Sequence, residues 1–110
     1  MNIIETIQTT ISGIVGRCYP LTVPEKPIAP YAIYSQVSVI PNLSVQNSIS
    51  LDNTRLQVDI FAKDYAQCQS LSLLVRAALL ALGVQPLSSG DLYESEVKLF
   101  RVSQDFSIWS

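Results

Sequence analysis

The stretch Thr54–Gly83, TRLQVDIFAKDYAQCQSLSLLVRAALLALG, changes hydrophobic period in mid-run and leaves no room for a loop at the change. In its first part Leu56, Val58, Ile60 and Ala62 alternate with Arg55, Gln57, Asp59 and Phe61, the period-two pattern of a strand with one core face. From Tyr65 the apolar residues recur at three-and-four spacing, which predicts a helix over Tyr65–Leu82, about 27 Å long at 1.5 Å per residue. Asp64 is a ready N-cap with Gln67 three positions on, and Gly83 supplies a left-handed stop. Cys68, Leu71, Val75, Ala78 and Leu82 form the main stripe, with Leu74 and Leu79 flanking it and Leu73, Ala77 and Leu80 carrying the apolar surface further round. Beyond Leu71 only Ser72 and Arg76 are polar. A helix apolar on most sides is covered on most sides, and one sheet covers only one of them.

The remaining segments supply that sheet and a second helix. In NIIETIQTTISGIV, Ile3, Ile7, Ile11 and Ile14 repeat at helical spacing behind a capping box of Asn2 and Glu5, and Gly13 and Gly16 mark the end. Four prolines between Gly16 and Tyr31 make an extended connector, with a short edge strand near Arg17 to Leu21. Tyr31–Ile40 is aromatic and β-branched, a strand with Tyr31, Ile33, Val37 and Val39 on one face and Ala32, Tyr34, Gln36, Ser38 and Ile40 on the other. Residues 41–53 are uncharged but for Asp52, and Leu43, Val45, Ile49 and Leu51 alternate weakly, as in a protruding hairpin arm. The C-terminal part holds two strands with a turn around Ser95 to Val97. The last shows Phe100, Val102, Phe106 and Ile108 on its inner face, and Gln104 is the one break in that pattern. The expected architecture is α+β in the order α-β-β-α-β-β: a mainly antiparallel sheet of about four strands, both helices on one face, in a single domain over residues 1–110.

Chemistry is hard to place on this chain. It has no histidine, and its two cysteines stand 50 positions apart without ligand spacing, so a metal site and a Cys–His or Ser–His nucleophile lack their residues. Two thiols in a reducing compartment are more often buried small hydrophobes than a disulfide. Asp91, Glu94 and Glu96 read as a solvated turn, and Asp59 and Asp105 as cross-strand partners of Arg55 and Arg101. No cofactor motif occurs. Seven scattered basic residues against nine acidic ones argue against nucleic-acid binding, and no run is long enough to span a membrane. The N-terminus carries no signal-peptide pattern, so synthesis in a cytoplasm is expected. The outstanding property is bulk: 48% hydrophobic residues with only 15% charged, against about 25% charged in an ordinary soluble domain. A partner subunit is the economical cover for the excess.

Four stretches, RCYPL, APYAIYSQVS, RLQVDIFAKDYAQC and FRVSQDFSIW, resemble in their order and spacing the tail-completion (tail terminator) proteins of long-tailed bacteriophages and prophages. The resemblance spans about Arg17 to Trp109. It implies a virion structural protein without enzymatic activity, assembled in the host bacterial cytoplasm, whose homohexameric ring caps the tail tube protein, stops its polymerisation and docks the head connector or neck protein, while DNA passes through the lumen without specific binding. On that reading Leu73, Arg76, Ala77 and Leu80 are the expected subunit interface, and Leu43, Val45, Ile49 and Leu51 the expected contact with tube or connector. The alternatives are another neck or head-completion component, and a dimeric ligand-binding or regulatory module.

Overall fold

In the computed structural model, which describes residues 3–22, 28–41 and 52–109, the elements run α1 (Ile3–Val15), β1 (Cys18–Pro20), β2 (Tyr31–Pro41), β3 (Asp52–Ala62), α2 (Tyr65–Ala81), β4 (Gln85–Glu94) and β5 (Leu99–Trp109). The strands form one sheet in the order β1-β2-β3-β5-β4, antiparallel throughout except for the β1–β2 pair. The fold is α+β, as expected, with five strands rather than about four because the three-residue edge piece at Cys18–Pro20 joins the sheet.

The period change at Asp64 is built as the sequence reads. Asp64 is extended (φ −112°, ψ 132°), and its carboxylate accepts from the Gln67 N–H at 3.3 Å. At the other end Gly83 takes φ +89°, a left-handed conformation that a β-carbon resists. Gly16, at φ +104°, ends α1 in the same way. The Asn2 cap lies outside the described residues.

Both helices pack on one face. Ile7, Ile11 and Val15 of α1 and Cys68, Val75 and Leu79 of α2 meet Ala32, Leu56, Val58, Ile60, Val102, Phe106 and Ile108 of the strands in one buried cluster. The burial stripe of α2 is turned from the predicted one. Ser72 and Leu79 are buried, Leu71 and Ala78 only partly so, and Leu82 is exposed. The reason is satisfaction of polar atoms: the Ser72 hydroxyl donates to the Cys68 carbonyl at 2.7 Å, and the Ser72 carbonyl accepts from Gln104 Nε2 at 3.0 Å. Two residues that read as polar breaks therefore sit opposite each other in the core.

β2 also departs from strict alternation. Its register against β3 slips between Gln36 and Ser38, making Val37 an extra residue. Beyond that bulge the side chains change face, so Val39 pairs with Thr54 on the helix side and no longer shares a face with Tyr31 and Ile33. Tyr31, Phe61 and Leu99 instead form a small cluster on the far face, with the Tyr31 and Phe61 rings stacked 4.9 Å apart.

Cys18 and Cys68 are free and buried. Burial pushes the Cys18 thiol up to about 12, and burial also raises Cys68, whose Sγ donates to the Ile60 carbonyl. With a folded value near 12 against 9.0 for a free thiol, the contribution of Cys18 to stability is complete below pH 9 and lost progressively as pH rises towards 12. At pH 8 only about one Cys18 thiol in 10⁴ is ionised, and only the thiolate attacks alkylating agents. Iodoacetamide should accordingly leave both cysteines unmodified in the native chain and label both within minutes in denaturant, as read by mass spectrometry.

Candidate assembly surface

α2 buries one side and leaves the other bare. Leu73 is 62% exposed, Leu74 56% and Leu80 57%, with Ala77 and Arg76 exposed beside them. The helical spacing of Leu73, Ala77 and Leu80 lines them up along the helix. All four residues expected at a subunit interface thus share one accessible flank of α2. Leu74, read only as a flank of the core stripe, belongs to this surface as well.

The flank continues into the sheet edge. A groove of about 90 Å³ between α2 and β4 is lined by Arg76, Leu87, Ser89 and Gln104 among others. Gln104 is 3% exposed, and while its Nε2 is engaged with Ser72, its Oε1 has no hydrogen-bond partner among the described residues. Further along, Asp91 ties β4 to α2: it accepts from the Tyr65 hydroxyl at 2.7 Å and from Gln69 Nε2 at 2.8 Å. That hydrogen bond, with the charge of Asp91, holds the Tyr65 phenol above its ordinary value.

The acidic group read as a solvated turn divides between the two faces. Asp91 pairs in register with Val102 and Glu94 with Leu99, so Asp91 looks to the helix side and Glu94 to the far side. There Glu94 accepts from Arg101 at 2.8 Å, and Arg101 also lies 3.2 Å from Asp59. Only Glu96 lies in the turn itself. Two carboxylates on opposite faces cannot share a substrate, so this group offers no general acid and base. Arg55 stands 3.8 Å from Asp105, which completes the two cross-strand pairs read from the strand pattern. Among the described residues there is no group of three or more Cys, Asp or Glu side chains placed to hold a metal, and no helix is long and apolar enough to cross a membrane. The expected arm contacts Leu43, Val45, Ile49 and Leu51 lie outside the described residues.

Together these features define a small α+β domain with an exposed apolar flank on its second helix. The profile of the tail completion protein gp17 family matches residues 6–110, and the chain belongs to that family. It is thus a structural protein of the phage tail. A chain in the virion of a native gene transfer agent (GTA) particle has the same fold, at 14% identity, 90% of this chain and 82% of that chain covered, and a TM-score of 0.71. No curated protein matches the sequence.

Proposed function

We propose that the chain is a tail terminator: six copies close into a ring on the last layer of the tail tube, halt its growth and present the head connector with a docking surface. The observation that carries this reading is the bare apolar flank of α2, Leu73, Leu74, Ala77 and Leu80, on a member of the tail completion family. A flank of this kind meeting a different surface on the next copy makes a head-to-tail contact, which closes into a ring when its rotation permits. The residues 43–51, with their four alternating apolar side chains, are the proposed contact with the tube or connector. The sheet face turned away from the helices suits a lumen for DNA, since Arg55 and Arg101 are engaged with carboxylates there and have no free charge for phosphate. The whole chain serves as one domain, assembled with the tail in the host cytoplasm and retained in the virion.

Electron microscopy of tails made without this protein tests the reading. Tails should be polydisperse, many exceeding normal length, and none should carry heads. Normal-length tails that simply lack heads would overturn the capping role and favour a neck component.

A further inference from the structure

Among the described residues the two lateral edges of the sheet are open, and they match each other. β4 forms one edge along its whole length, while at the other, again among the described residues, β1 covers only Ala32 to Tyr34 and leaves β2 from Gln36 onward without a strand neighbour on that side. A strand residue turns its N–H and C=O to the same side, and successive residues alternate. In β2 the helix-facing residues turn theirs outward, since the Ala32 N–H donates to the Arg17 carbonyl and the Tyr34 carbonyl accepts from Leu21. β2, β3, β5 and β4 alternate in direction, so β4, at the opposite edge, runs antiparallel to β2. Its helix-facing residues Ser89, Asp91 and Tyr93 therefore also point their backbone groups outward. Copies related by rotation about an axis along the strands would bring β4 of one against β2 of the next in antiparallel sense.

Shape agrees. The β1 edge carries a hollow of about 370 Å³ walled by Ile4, Leu21 and Tyr34, while the β4 edge projects Leu87, 48% exposed, into the groove it shares with Arg76 of α2.

From these matched edges we propose that a second copy of this chain docks its β4 edge and α2 flank onto the β1–β2 edge of the first, joining the subunit sheets into one continuous belt. This rests on the ring reading and specifies its contact. Ser89→Pro removes only an outward N–H, so the folded chain should keep its melting temperature within a few degrees yet form rings on tail tubes at least tenfold less. Gly90→Pro, whose N–H turns towards β5, should lower the melting temperature instead. As an independent measurement, Gln36→Cys with Pro86→Cys, which lie in one row at the two edges, should give a covalent ladder with a bis-maleimide of about 8 Å reach, because three strand spacings, about 14 Å, separate the two positions within one chain. Rings of wild-type abundance from Ser89→Pro, or rings that give no ladder, would overturn edge pairing and leave the ring standing. Failure of the wild-type chain to form rings on tubes would sink the ring reading itself.

Discussion

Glutamate at both Leu73 and Leu80 should yield a folded chain that no longer caps tails. Both side chains are more than half exposed in the isolated subunit, and substitutions at such positions usually move stability by no more than about 0.5 kcal/mol each. In the proposed ring the same positions would be buried. Losing two leucines from an interface removes about 1.5–3 kcal/mol apiece, and burying the introduced carboxylates adds a further penalty. Even about 5 kcal/mol per contact weakens association by more than 10³-fold, and each subunit of a ring makes two such contacts. Circular dichroism should therefore show an unchanged melting transition, sedimentation should show monomer, and tails assembled with the variant should be as long and polydisperse as tails made without the protein. Normal tails from the double variant would remove α2 from the subunit interface.

What could be read from the sequence was whatever depends on near neighbours in the chain. The Asp64 cap, the Gly83 stop and the alternation of Leu56, Val58 and Ile60 are local, and each stands where the pattern placed it. The pairing of Asp59 with Arg101 and Asp105 with Arg55 was also legible, because strand parity alone puts all four on the outward face. Parity failed at Val37, where the bulge is set by the register of β3 and not by any residue in β2. Polarity, and not parity, misled at Ser72 and Gln104: it argued for solvent, while the hydrogen bond from the Gln104 amide to the Ser72 carbonyl admits both to the core. Asp91 and Glu94 were legible as charges but not as members of opposite faces, since their strand is an almost wholly exposed edge without apolar alternation to mark it. Of the candidate interface, the α2 residues announced themselves as apolar excess. The matched backbone edges could not, because an open edge is a property of the sheet order, in which β4 ends up outermost although β5 follows it in the chain.

Phe106→Ala should damage the same function by a different route. Phe106 is fully buried in the main cluster and stands opposite Leu56 in the β3–β5 ladder, beneath both helices. Truncating a buried phenylalanine costs about 3–5 kcal/mol, combining lost transfer energy with the cavity left behind. Against a typical total of about 5–15 kcal/mol for a whole domain, that is a large share, and for a chain of this size it corresponds to a fall in melting temperature of about 15–30 °C. Denaturant titration should show the midpoint displaced with the slope unchanged. The functional consequence differs from that of the Leu73 and Leu80 variant in its temperature dependence. Phe106→Ala leaves the α2 flank and both sheet edges intact whenever the chain is folded, so it should cap tails at low growth temperature and release long, unterminated tails only when the culture is warmed. The α2 variant, folded but unable to associate, should fail at every temperature. A Phe106→Ala chain that costs less than about 1 kcal/mol would move this residue out of the core, and equal failure of both variants in the cold would mean that Phe106 acts in assembly rather than in folding.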